Sequence, residues 1–246
     1  MDTKFDVKTT AVIQRDWHST PEGEDFFKKF CNSTLTGRRL YGVLERPTIF
    51  DGIEEVTYKV LFIGKCGVGK SHTISLLAGL FCGSTKTDTI GIEVTDVYWP
   101  VKIWDKVIIF KLQCWEAGEI SMKKYNHVVE SCQDKVDLRV FVFSFTDTSS
   151  FTELPAYITS TSDKDINQVA ASIVIGTRNS SKAVVSPTEI KNFKLSFGIE
   201  VVYSLPQAYH EKIAESLPEI IPLMNDICEI LWLRDQHYIM NNSVTV

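Results

Sequence analysis

Apolar positions along this chain change period several times. Runs at 57–63, 92–100, 105–114, 138–145, 169–175 and 199–203 are short, rich in β-branched and aromatic residues, and bounded by polar or glycine-containing stretches. That pattern predicts strands. Between them, 70–81, 121–132, 150–161, 187–197 and 217–236 carry apolar residues at helical spacing and predict helices. The runs 139–145 and 173–175 are nearly all apolar, as strands covered on both faces should be. A short turn separates 92–100 from 105–114, so these two should pair as an antiparallel hairpin. The other crossovers contain helices and should be parallel. The expected fold class is therefore α/β: three layers around a mostly parallel six-stranded sheet with one antiparallel hairpin. Residues 1–55 read as an N-terminal extension, 56–236 as the main domain and 237–246 as a flexible tail. In the extension, Thr20-Pro21-Glu22 has the form of an N-cap, a proline at the first helical position and an early acid. Phe26, Phe27 and Phe30 then share one side of a short helix that should dock on the main domain. Residues 42–52, with Pro47, read as a connecting loop.

The first core strand runs into Gly64-Lys65-Cys66-Gly67-Val68-Gly69-Lys70-Ser71, followed by His72. This fits the phosphate-cradling pattern G-x-x-x-x-G-K-[ST] in its required place, between a strand and a helix. The glycines let backbone N–H groups turn inward, and the helix start adds its positive end. Lys70 should reach the β- and γ-phosphates, and the Ser71 hydroxyl should take one position on Mg²⁺.

Composition narrows the remaining possibilities. An apolar content of 44% suffices for a full core, and a net charge of −5 with no dominant basic run argues against a nucleic-acid binder. Six cysteines (31, 66, 82, 114, 132 and 228) show no C-x-x-C pair and suit reduced thiols in a cytoplasmic setting. No signal peptide and no bilayer-spanning stretch is expected.

From about 56 to 236 the chain resembles the Ras superfamily of small GTPases, its Rab branch most closely. Asp88-Thr89-Ile90-Gly91-Ile92-Glu93 looks like the Rab switch I signature. The resemblance implies that Thr89 completes Mg²⁺ coordination when the γ-phosphate is present. Trp115-Glu116-Ala117-Gly118-Glu119 looks like an eroded switch II motif, W-D-T-A-G-Q-E in Rabs. Gly118 matches the glycine whose N–H contacts the γ-phosphate. Counting back from it puts Trp115 at the aspartate position; matching the tryptophans instead makes Glu116 the stand-in, with one residue missing. Glu119 occupies the place of the water-orienting glutamine, where it offers acceptors alone and adds negative charge, so slow hydrolysis is expected. Cys66 stands where a side chain tends to obstruct the catalytic water. Base recognition is eroded as well: Thr177-Arg178-Asn179-Ser180 replaces N-K-x-D, and Ser204 alone survives of S-A-K. Arg178 can lay its stem over a base, but Ser180 cannot supply the bidentate contact to guanine.

The resemblance extends over nearly the whole chain to the Rab-like GTPases of the ciliogenesis and planar polarity effector (CPLANE) complex. It is carried by Trp17-His18-Ser19-Thr20-Pro21-Glu22-Gly23, Leu44-Glu45-Arg46-Pro47 and Trp99-Pro100, with no prenylation cysteine readable near the C-terminus. It implies GTP or GDP with Mg²⁺ as cofactors, Fuzzy and Inturned as partners, and action at the basal body in cargo or vesicle delivery. Membrane contact would be indirect. Ile90, Ile92, Trp99 and Trp115 are expected to form the apolar face that recruits effectors. Two functions are compatible with these residues: a GTP-dependent binding switch, or a subunit that holds GTP permanently.

Overall fold

The strands are β1 (Glu54–Ile63), β2 (Ile92–Ile103), β3 (Lys106–Ala117), β4 (Leu138–Ser144), β5 (Ala171–Asn179) and β6 (Val202–Pro206). They form one sheet in the order β2-β3-β1-β4-β5-β6, in a computed structural model that describes residues 12–32, 52–79, 89–118, 126–161, 170–199, 201–206 and 217–243. β2 and β3 are antiparallel and every other pairing is parallel, as the connection lengths require. β1 pairs with β3 on one side and β4 on the other. Chain order therefore reverses direction at the carboxyl end of β1, and a crevice for ligand opens there.

The described helices are α1 (Pro21–Phe30), α2 (Lys70–Leu77), α3 (Asn126–Gln133), α4 (Thr148–Thr152), α5 (Leu154–Ser160), α6 (Pro187–Phe197) and α7 (Leu217–Ser243). Two apolar cores result. One face of the sheet packs against α1, α2 and α7 through Phe30, Leu77, Met224 and Leu231. The other packs against α3 to α6 through Cys132, Phe151, Leu154 and Phe193. The periodicity placed each strand within a few residues. Its helix over 150–161 is two short helices, α4 and α5, the second opening on Pro155 near its first position.

α7 runs on through Ser243, beyond the helix expected to stop at 236, so most of the expected tail is helical. Pro222, inside it, is exposed and removes one helical hydrogen bond. Polar contacts fix α7 to the sheet: Tyr58 Oη donates to Asp235 Oδ2 at 2.8 Å, Tyr203 Oη to Asp226 Oδ2 at 3.0 Å, and Arg234 pairs with Asp137 at 2.7 Å.

The extension docks as its phenylalanines suggest. Ile13 bridges Ile103 at the edge of β2, and the Thr20 hydroxyl caps α1 by accepting from Gly23 N–H. Arg15 pairs with Asp226 and Glu229 of α7, and Glu22 pairs with Lys102 of β2. Phe27 meets Trp99 edge-on with ring centroids 5.5 Å apart, and Trp99 Nε1 donates to Asn225 Oδ1 at 3.1 Å. Trp99 is consequently 0% exposed. This overturns its expected place on an effector-recruiting face: α1 already covers it. Most of the expected loop at 42–52, and Leu44 to Pro47 with it, lies outside the described residues.

Candidate nucleotide-phosphate site

The glycine-rich loop leaves β1 at the crevice and turns into α2. Gly64 has φ +154°, and a Cβ there would stand 2.2 Å from the Val142 carbonyl oxygen, so β4 permits no side chain at this point. Gly69 has φ +102° at the N-cap of α2, where no side chain caps the helix. The first turn of α2 thus presents its N–H groups to whatever occupies the loop. Lys70 is buried and folds back, its Nζ donating to the carbonyls of Gly64 at 2.9 Å and Lys65 at 3.0 Å. The ammonium therefore sits within the loop. Val68 is buried beneath it, while Cys66 and Gly67 are exposed. Lys65 is tied outward to Ser149 Oγ at 2.8 Å and Glu153 Oε1 at 3.1 Å. His72 follows Ser71 in the first turn of α2.

Three oxygens converge beside the loop. Ser71 Oγ donates to Glu116 Oε1 at 2.9 Å, Thr89 Oγ1 donates to the same atom at 3.2 Å, and the two hydroxyl oxygens are 3.3 Å apart. Strand alternation explains the choice of Glu116. Trp115 turns to the opposite face and packs on the second core under the Lys59 ammonium, which lies 4.1 Å from its ring centroid. Glu116 turns toward α2 and is 4% exposed. Of the two matches left open by the sequence, the geometry selects Glu116 as the carboxylate beside Ser71. These hard oxygen donors suit Mg²⁺. Among the described residues no group of three His, Cys, Asp or Glu forms a self-sufficient metal site, so phosphate oxygens would have to complete the coordination.

Gly118 behaves differently. β3 continues straight to Ala117, and the Gly118 N–H donates to the Gly91 carbonyl at 2.9 Å. The N–H expected to read a γ-phosphate is spent on the hairpin. The missing residue between Trp115 and Gly118 accounts for this, because the strand reaches the glycine before it can bend away. Glu119 lies outside the described residues.

The base-reading region keeps its structural links and loses its reader. Thr177 Oγ1 donates to the Val68 carbonyl at 2.5 Å, joining β5 to the phosphate loop. Arg178, at φ +55°, places Nη2 2.9 Å from the Gly67 carbonyl. Ser180 Oγ accepts from Lys182 N–H at 3.3 Å inside its own turn. Asn179 Nδ2 donates to Ser204 Oγ at 2.7 Å, tying the end of β5 to β6. Asn179 belongs to this constellation although the sequence did not single it out as a binding residue, whereas Glu116 entered only as one of two competing matches to the aspartate.

Residues 59–219 match the Ras family, and the chain belongs to that family. A curated relative from Xenopus laevis, named ciliogenesis and planar polarity effector 2, is 33% identical over 94% of this chain and 96% of its own length. The protein of the same name from Danio rerio is 34% identical over 93% of this chain and 90% of its own. A Ras-related protein Rab-11B from Dictyostelium discoideum is 32% identical over 41% of this chain and 43% of its own.

Proposed function

We propose that this protein is a guanine-nucleotide-binding adaptor that holds GTP or GDP with Mg²⁺ and recruits effector subunits in ciliogenesis and planar polarity. The observation that carries the nucleotide part is the convergence of Ser71, Thr89 and Glu116 beside a loop whose lysine is folded inward. Lys70 and the first-turn N–H groups of α2 hold the phosphates, Ser71 and Thr89 supply metal ligands, and Arg178 flanks the base. The cellular role rests on the names of the relatives that match nearly the full length. From the motif resemblance to the CPLANE GTPases, the proposed partners are Fuzzy and Inturned, and the proposed site of action is the cytoplasm at the basal body, in vesicle or cargo delivery. Hydrolysis is slow, because Cys66 lines the catalytic approach and glutamate replaces glutamine at 119.

A second reading is favoured by one bond. With the Gly118 N–H held by Gly91, this part of switch II has no backbone donor with which to distinguish triphosphate from diphosphate. The protein would then hold its nucleotide permanently as a structural element. Denaturing the purified protein and identifying the released nucleotide tests both readings. GTP alone, with no exchange over hours, supports the permanent subunit. GDP, together with tighter effector binding by the triphosphate-loaded form, supports the switch. An empty site rejects both.

A further inference from the structure

Resting on the nucleotide-binding reading above, we propose that Glu116 is a direct ligand of the metal ion, with no water interposed. Three observations point the same way. The first is reach: glutamate is one methylene longer than aspartate, and it projects from a strand that runs straight to Ala117, so its carboxylate is carried to the two hydroxyls.

The second is spacing. The mutual separations of Ser71 Oγ, Thr89 Oγ1 and Glu116 Oε1 are 2.9, 3.2 and 3.3 Å. In an octahedron with metal–oxygen bonds of about 2.1 Å, adjacent ligand oxygens stand about 3.0 Å apart. The three atoms therefore approximate one face of such an octahedron, and no water fits between the carboxylate and an ion seated on that face.

The third is charge. Glu93 stands directly opposite Glu116 in the β2–β3 ladder, on the same face of the sheet. Opposed like charges destabilise a strand pair. A divalent cation held by Glu116 reverses that penalty, and the cost of burying the carboxylate is offset in the same step. The site thereby binds its metal more tightly than one in which a water intervenes. It also leaves one fewer position for water.

The test uses the full chain loaded with Mn²⁺ and a GTP analogue that resists hydrolysis. Electron paramagnetic resonance in ¹⁷O-enriched water counts the water ligands on the metal. Glu116→Asp, which shortens the arm, should hold one more water than the wild type, and its Mn²⁺ affinity should fall at least tenfold. Glu116→Gln keeps the length and an oxygen ligand. It should match the wild-type water count while binding Mn²⁺ more weakly, which separates ligation from misfolding. Equal water counts in the wild type and Glu116→Asp, with nucleotide bound to both, would overturn this inference alone. Failure of the wild type to retain Mn²⁺ and nucleotide would overturn it together with the reading on which it rests.

Discussion

Ser180 is where the chemistry of one residue matters most for specificity. The Thr177 and Arg178 links to the phosphate loop hold the base-reading loop in place, yet Ser180 uses its hydroxyl within its own turn. Restoring a carboxylate to a loop already in position should restore discrimination. Ser180→Asp is expected to raise the preference for GDP over ADP by at least about 10²-fold, toward the roughly 10⁴–10⁵ by which a site fully built to hydrogen-bond a group rejects an analogue lacking it. Competition binding of the two diphosphates would measure this. Lys70→Ala should lower phosphate affinity by at least about 10²-fold, since it removes the buried charge held within the loop. Retention of nucleotide at wild-type stoichiometry would contradict that expectation. Much of this was legible in the residue types, because the glycine-rich loop, Ser71 and Thr89 have a fixed order along the chain. Glu116 was not decided there. Spacing to Gly118 and identity to Trp115 gave conflicting matches, and only the alternation of side chains along β3 separates them.

At the scale of elements, α1 is the part of the molecule whose role changed most between sequence and structure. Its three phenylalanines and its N-cap were readable, and docking followed from them. The docking place was not readable, because nothing local says that Arg15 meets α7 or that Phe27 meets Trp99. These partners are 72 to 214 residues apart in sequence and are brought together only by the sheet order. Phe30→Ala is expected to destabilise the fold by about 3–5 kcal/mol, the usual cost of emptying a buried aromatic site. Chemical denaturation would measure it. The same variant should leave nucleotide affinity within about twofold, because the ion pair and ring contact of α1 run to Lys102 and Trp99 of β2, toward the amino end of β1 and away from the phosphate loop. A large loss of affinity would mean that the extension supports the site through β2. Among the described residues, the exposed apolar side chains left for partners on the switch side are then Ile90, 92% exposed, and Val94, with Trp99 taken out of that surface.

On the scale of the whole molecule, the candidate phosphate site lies at the join between the two cores. The phosphate loop ends in α2, which belongs to the first core, while Lys65 is tied to Ser149 and Glu153 of the second side, and Thr177 spans from β5 to Val68. A ligand seated there contacts elements from both faces of the sheet at once, so binding should be linked to global unfolding rather than to one loop. Ligand that binds the native state alone stabilises by about 4 kcal/mol at a concentration 1,000 times its Kd. For a chain of this size each kcal/mol moves the midpoint by about 2–4 °C. Saturating GTP with Mg²⁺ is therefore expected to raise Tm by about 8–16 °C in a thermal scan of protein first stripped of nucleotide. Adding EDTA should abolish most of the rise, because under the proposed reading Ser71, Thr89 and Glu116 would act on the phosphates through the metal and are three mutually hydrogen-bonded groups without it. Lys70→Ala should show no rise at all. A full rise that survives EDTA would mean that the loop and the α2 N-terminus hold the phosphates unaided, and the converging oxygens would then be a structural clasp between switch I and β3.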